Sequence, residues 1–434
     1  VSTALAPDLA PQADVARTLG PDWLAPVREA ALAEFNRLGW PTTRNEDWHY
    51  TNPRDIAEGS FTLPAGGAHG VTEAHLAPFT FGQEWPRLVF VNGRLDAGLS
   101  RLGALPAGLR VAPLADALAN DRAFLEPRLA KVARFDEHAF TALNTAFMTE
   151  GVVVHVAQGV EVAAPLHLLF IADGAAEGTI SHPRVIIAAE PMAKLTVVES
   201  WGAVGAPRHV TNVVTEVDVA AGATVTHLKV QRESAAAFHV ATVQVNQARD
   251  SHFVQFTYQA GARLMRNNVY THLNGSGCGS TLNGLTLADG AQHLDTQTRI
   301  EHVAPNCYSR ELYKGVLDGE GHAVFNGKVY VHPEAQKTDG KQENHTLLLS
   351  ERAQIDTKPQ LEIFADDVKC THGATVGRLD ATAEFYMKSR GVSASQARKL
   401  LVYAFAADVL ETIENQAVRE GLEALVLERF TQAV

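Results

Sequence analysis

Residues 193–225, AKLTVVESWGAVGAPRHVTNVVTEVDVAAGATV, decide the fold. Val213, Thr215, Val217 and Val219 alternate there with other residues, which is the two-residue period of a strand. The stretch also opens and closes on one pattern: a small residue, a spacer, then an apolar residue. It reads first as Ala193–Leu195 and then as Ala223–Val225. The pattern returns at Ser251–Phe253 and Ser280–Leu282, which places apolar residues at 195, 225, 253 and 282, and once more at Ala353–Ile355. A regular period of about 20–50 residues marks stacked coils, each too small to bury its own face. Such triplets also arise by chance in any β protein, so this pattern alone leaves a sandwich or a barrel open.

Outward from that stretch the texture holds. Val152, Val154 and Val156 alternate, as do Leu166, Leu168 and Phe170, and short β-branched runs continue to about residue 380 with no helical period among them. So long a run of strands without helices excludes a doubly wound α/β domain. The chain divides into three: 1–150, mixed and mainly helical; 151–390, the β core; and 391–434, a C-terminal helical domain. Residues 1 to about 20 are a loose Ala/Pro-rich lead-in. Leu24, Val27, Ala31, Phe35 and Leu38 then recur at helical spacing up to Gly39, and a second helical pattern covers about 113–148 with a break near Pro127.

At the other end Ser393 and Gln396 form a capping box. Two apolar stripes follow: Leu400, Leu401, Phe405, Ala407, Leu410 and Ile413, then Val418, Leu422, Leu425, Val426 and Phe430, with Gly421 as a bend between segments. Glu411, Glu414, Glu420, Glu423 and Glu428 make the remaining face acidic. Such a unit can cap an open solenoid end, pack on its own domain or dock a partner.

Composition narrows the function. The 434 residues carry 46% apolar and 20% charged residues, enough for a sizeable core. A net charge of −12 argues against nucleic acid and anionic membranes as partners. The three cysteines, Cys278, Cys307 and Cys370, fit a reducing compartment rather than a disulfide framework. No signal peptide and no long apolar run stand out, so the reading expects a cytoplasmic protein.

The common catalytic motifs are missing. No GxxxxGK[ST], GxSxG, HExxH or CxxC occurs. Gly275-Ser276-Gly277-Cys278-Gly279 mimics a dinucleotide loop, but strands surround it and no helix follows, so it reads as a turn. Soft-ligand residues gather in the last third: His293, Asp295 and His302 near Cys307, then Cys370 and His372 within Asp366-Asp367-Val368-Lys369-Cys370-Thr371-His372-Gly373. Cys370 and His372 are two apart and share one face of a strand, where thiolate and imidazole suit iron–sulfur species or zinc. Two ligands are an incomplete set that a partner chain or exogenous thiols would have to complete. The alternative is a packed thiol beside a hydrogen-bonded histidine. Asp366 and Asp367 are adjacent and face opposite ways, so they are not a catalytic carboxylate pair. His293, Asp295 and His302 are the residues of an alternative metal site.

Longer segments carry a resemblance. Asn344-His345-Thr346-Leu347-Leu348-Leu349-Ser350, Ile355-Asp356-Thr357-Lys358-Pro359-Gln360-Leu361-Glu362-Ile363, Asp366 to Thr375 and Phe385-Tyr386-Met387-Lys388-Ser389-Arg390-Gly391 closely resemble the SufB/SufD family. Lys314-Gly315-Val316-Leu317, Ala335 to Asp339 and Pro41 to Thr51 extend the match over about 20–430. Cys370-Thr371-His372-Gly373-Ala374-Thr375 is similar to the SufD branch rather than the SufB branch. The resemblance implies a right-handed parallel β-helix flanked by helical regions and a non-enzymatic scaffold role in iron–sulfur cluster assembly. It implies pairing with SufB and docking of the SufC ATPase on the C-terminal helices, with ATP handled only by SufC. It further implies that His372, and with it Cys370, meets a nascent iron–sulfur cluster shared with SufB. It assigns no flavin and no role to Cys278 or Cys307. A homodimer through strand edges is the alternative assembly when SufB is absent. The competing functions are a purely architectural subunit without cluster ligands and a stand-alone β-helix enzyme acting on carbohydrate.

Overall fold

The computed structural model describes Ala16, residues 19–82 and residues 84–430, so most of the Ala/Pro-rich lead-in lies outside the described residues. From Gly151 to Gly377 strand follows strand, and the strands divide between two ten-stranded sheets. The first sheet runs Arg94–Arg101, Arg87–Val91, Leu166–Ala172, Lys194–Ala203, Thr224–Arg232, His252–Gln259, Gly279–Ala288, Tyr308–Leu317, Asp339–Leu348 and Lys369–Gly377. The second runs Leu109–Pro113, Gly151–Val156, Arg184–Ala189, Val210–Val219, Phe238–Gln247, Leu264–Leu273, His293–His302, His322–Val331 and Gln354–Ile363, with Ile180–Ser181 beside Val210–Val219. Neighbours pair in parallel, except where Arg94–Arg101 and Leu109–Pro113 start the sheets antiparallel. The chain is therefore a mainly β protein with a parallel β-solenoid core, as the alternation and the repeat suggest.

The register corrects the repeat in detail. Leu195 pairs with Val225 and Val225 with Phe253, but Phe253 pairs with Ser280 and not with Leu282. The coil between those positions is two residues shorter than the period implied, and its turn absorbs the difference. Ile355 belongs to the other sheet, opposite Ala323.

Alternate side chains of each strand point into the lumen, and its character changes along the axis. Phe90, Phe170 and Trp201 stand in one register and stack at 4.7 and 4.0 Å between ring centres. Beyond Trp201 the same register continues as Gln231, Gln259 and Thr286, all buried. Apolar coils thus give way to a polar interior, where Glu199 meets His227 at 3.0 Å and Lys229 at 3.4 Å. Burial opposes charge on Glu199, but Lys229 and the hydrogen-bonded His227 hold it well below the ordinary carboxylate range.

The N-terminal helices cover the outer face of the second sheet. Helix Ala25–Leu38 starts with Pro26 in its first turn, ends at Gly39 with φ 67°, and buries Ala31, Leu32 and Phe35. Its Arg28 donates to Ala146 O at 2.7 Å and also to Met148 O, covering carbonyls at the C-terminus of helix Ala139–Phe147. Arg184 and Glu216 form a fully buried pair at 2.6 Å, and Glu216 also accepts from the backbone of Ala130, Val132 and Ala133. This carboxylate joins the sheet to the segment before that helix.

The C-terminal helices are Ala381–Ser389, Ala394–Leu410 and Gln416–Arg429. The capping box of Ser393 and Gln396 is present. Val402, Ala406, Val409, Leu410, Ile413, Val418, Leu422 and Val426 pack with Leu285, Leu287 and Val316 on the outer face of the first sheet. Leu400 lies outside this stripe and is exposed. Gly421 sits inside an unbroken helix, where a Cβ would meet Phe81 at 2.7 Å, so its role is close approach and not a bend. Helices Ala394–Leu410 and Gln416–Arg429 lie along the side of the solenoid, and among the described residues no strand pairs beyond its last coil.

Removing one member of a buried ion pair strands the other charge, which costs about 3–5 kcal/mol. Glu216→Ala is expected to lower the denaturation midpoint accordingly without changing its slope, whereas adding Arg184→Met recovers only the part due to the stranded guanidinium, because the amides of Ala130, Val132 and Ala133 stay unpaired. Chemical denaturation followed by circular dichroism checks both.

Candidate functional site at the terminal coil

Each coil hydrogen-bonds the next until Lys369–Gly377 and Gln354–Ile363, beyond which no strand follows among the described residues. Two large hydrophobics are exposed at these last two strands, Phe364 at 56% and Val376 at 49%.

The register places both sequence-predicted ligands. Cys370 continues the column Leu195, Val225, Phe253, Ser280, Ser309, Gly340, and His372 continues the column His227, Gln255, Leu282, Glu311, Gln342. The other members of both columns from Ser280 and Leu282 up to Ser309, Glu311 and Gln342 are buried in the lumen. Cys370 and His372 are therefore the last lumen-facing residues of their columns. Gly340 makes room for the thiol, since a Cβ there would meet Cys370 Sγ at 3.3 Å. The thiol is half-buried against Val329, Val331 and Leu361, and burial raises its pKa. His372 is exposed. Lys337 and Asp367 form an ion pair beside the strand, so Asp367 serves the turn that delivers it.

Behind His372 lies a group that spacing did not reveal. Gln342 Nε2 donates to Glu311 Oε2 at 2.7 Å, and Gln342 Oε1 has no partner in the protein. Gly327 gives this amide its space, because a Cβ there would lie 2.2 Å from Gln342 Nε2. Burial lifts the Glu311 carboxyl to about 7, against the hydrogen bond from Gln342. Glu311 and Gln342 precede His372 by one to two coils, and only the strand register links them.

The alternative metal site separates. His293 and Asp295 face outward and meet Thr51 Oγ1 at 2.8 and 2.6 Å, whereas His302 lies in the interior 3.0 Å from Ser309 Oγ. His293 continues outward to His322 at 3.1 Å and from there to Asp356 at 2.7 Å, a line rather than a convergent set. Among the described residues no three His, Cys, Asp or Glu side chains converge to hold a metal ion. Cys278 and Cys307, by contrast, come together. Cys278 is pulled down to about 6, first by its hydrogen bond with Cys307, whose own thiol is pushed up by the same bond.

The parallel solenoid thus ends on a strand with an open edge that carries Cys370 and His372. Comparison with known proteins gives the family. Residues 170–405 match the SufBD core domain of the SUF system for iron–sulfur cluster assembly, and residues 12–168 match the SufBD N-terminal region. An iron–sulfur cluster assembly SufBD family protein of Synechocystis is 33% identical, with 92% of this chain and 89% of that protein covered. The iron–sulfur cluster assembly protein SufD of Escherichia coli is 33% identical over 94% of this chain and 92% of its own length. SufD of Bacillus subtilis is 27% identical, covering 94% of both. The chain belongs to the SufBD family, and its role lies in SUF iron–sulfur cluster assembly. None of its described helices is long and apolar enough to cross a membrane.

Glu311 gives the site a pH signature. An unfolded carboxyl titrates near 4.5 and the folded one near 7, so the folded state holds the extra proton between those values. Stability therefore falls as pH rises through that window, by about 3 kcal/mol for this group, and is flat above it. Glu311→Gln is expected to remove that slope and to exceed the parent in stability at pH 8 but not at pH 4.5. Urea unfolding at the two pH values checks it.

Proposed function

We propose that this chain is a SufD-type scaffold subunit, not an enzyme, that pairs end to end with SufB in the cytoplasm. The observation that carries the proposal is the uncapped terminal coil with Cys370 and His372 as its last lumen-facing residues. An exposed strand edge is a template for another strand, and here it is rimmed by Val376, Phe364 and Ile363. Pairing there sets His372, with Cys370 beside it, against the partner's ligands. The nascent iron–sulfur cluster is cargo, held by His372 from one side and SufB thiolates from the other. Fewer thiolates than a Cys₄ site leave the cluster transferable.

SufC docks on the outer surface of helices Ala394–Leu410 and Gln416–Arg429, whose inner faces pack on the first sheet. ATP then acts only through SufC, which agrees with a chain lacking a phosphate-binding loop. Lys314 ties the first of these helices to the solenoid, 2.6 Å from Asp408 and 2.9 Å from Phe405 O, and so provides a rigid path from dock to coil. A homodimer through the same edge is the assembly proposed in the absence of SufB.

The test is iron and acid-labile sulfide in the complex purified anaerobically with SufB and SufC. His372→Ala is expected to lose most of both with the complex intact. Unchanged content supports the architectural reading instead, and loss of the complex makes the histidine structural. Val376→Pro probes the edge separately. Lys369 N donates inward to Thr338 O, so by strand alternation residue 376 directs its N–H to the open edge. Removing that donor is expected to reduce co-purification of SufB while the isolated chain keeps its thermal midpoint.

A further inference from the structure

Cys278 and Cys307 occupy equivalent places on consecutive coils, in the short turns before Gly279–Ala288 and Tyr308–Leu317. Cys278 O accepts from Tyr308 N at 3.0 Å, and the column continues from Ser251 below to Thr338 above, whose backbones continue the same ladder. The two hydroxyls in this column bond locally: Ser251 Oγ to Ala248 O at 2.6 Å and Thr338 Oγ1 to Ala335 O at 2.8 Å. The two thiols instead converge on one oxygen. Gly275 O lies 2.9 Å from Cys278 Sγ and 3.3 Å from Cys307 Sγ. Ala248 O is a further 3.0 Å neighbour of Cys278 and Pro305 O a 3.6 Å neighbour of Cys307. Both side chains are buried, and the half-buried Ser276 and Gly277 form the adjoining turn.

We infer that Cys278 and Cys307 form a two-coordinate site for a soft d¹⁰ cation, copper(I) being the probe ion. Stacked coils hold equivalent atoms about 4.8 Å apart. Both cysteines are free thiols, and a disulfide would need an oxidant that a reducing compartment withholds. A linear S–Cu–S unit spans stacked side chains. Thiolate selects copper(I) over harder ions, and two ligands suffice for it where zinc asks for four. The carbonyl oxygens of Gly275, Ala248 and Pro305 surround the pair with negative dipoles that favour a cation between the sulfurs. The balance is simple: one copper(I) enters, two S–H bonds break, and two protons leave to solvent with no change in oxidation state. This site is independent of Cys370 and of the terminal coil.

The test uses the full chain, reduced and anaerobic, titrated with copper(I) supplied as its acetonitrile complex against a chromogenic copper(I) chelator. One equivalent is expected to be retained by the parent and by Cys370→Ser. Cys278→Ser and Cys307→Ser are each expected to weaken binding by more than about 100-fold, the upper end of what an outer-shell partner alone contributes. X-ray absorption at the copper edge on the parent protein gives an answer that needs no variant: two sulfur neighbours support the site. Oxygen or nitrogen neighbours, retention that follows Cys370, or a parent that loses all copper to the chelator would overturn it. Recovery of the pair as a disulfide in the anaerobic, copper-loaded protein would overturn it too.

Discussion

A parallel solenoid satisfies the backbone of each coil with the next, and the last coil has no next. That constraint organises this molecule. Every N–H and C=O that Lys369–Gly377 turns away from Asp339–Leu348 must find water or another chain. Many solenoids place a helix over such an end. Here the helices that follow pack along the side, against Leu285, Leu287 and Val316, and the end stays open. The apolar residues at the rim make water a poor substitute for a partner.

The lumen has a second constraint, which runs the other way. Near the N-terminal coils it is filled by Phe90, Phe170 and Trp201, and towards the open end by Gln, Thr, Tyr and Glu side chains. Buried amides and carboxyls cost free energy unless paired, and several here, including Gln342 Oε1 and Tyr313 OH, lack a protein partner. Ordered water is the ordinary remedy in a polar interior of this kind. Stability is thus concentrated in the apolar coils, and the coils behind His372 form a softer and wetter electrostatic environment. Glu311, lifted into the neutral range by burial, is the clearest mark of that environment.

How much of this was legible in the sequence follows from periodicity. Strand alternation survives any change of coil length, so the β core and the shared face of Cys370 and His372 could be read directly. Register across coils could not. A turn two residues shorter moved Ser280, rather than Leu282, into line with Phe253, and no local signal announces such a change. The same limit hid Glu311 and Gln342, which are remote from His372 in sequence and adjacent only through the ladder. His302 and His293 separate for a different reason, strand parity: residues nine apart in one strand face opposite sides. Helical stripes failed more mildly: Leu400 fits the spacing, but Val402 and Ala406 are the residues that meet the sheet, because the helix axis is set by the groove it lies in.

These two constraints together explain why the ligand pair is incomplete. A site buried within one chain can collect four ligands from facing strands, as stacked columns readily allow. The terminal coil has a neighbour on one side only. Its lumen-facing residues, Cys370, His372 and Ala374, are therefore half of a wall whose other half must come from elsewhere. Under the proposed pairing, an ion held there would be enclosed only while two chains meet, so its occupancy would follow association. Cys278 and Cys307 illustrate the contrast. Deep in the stack, with a coil on either side, two thiols already surround a common point, and the fold by itself determines what can bind.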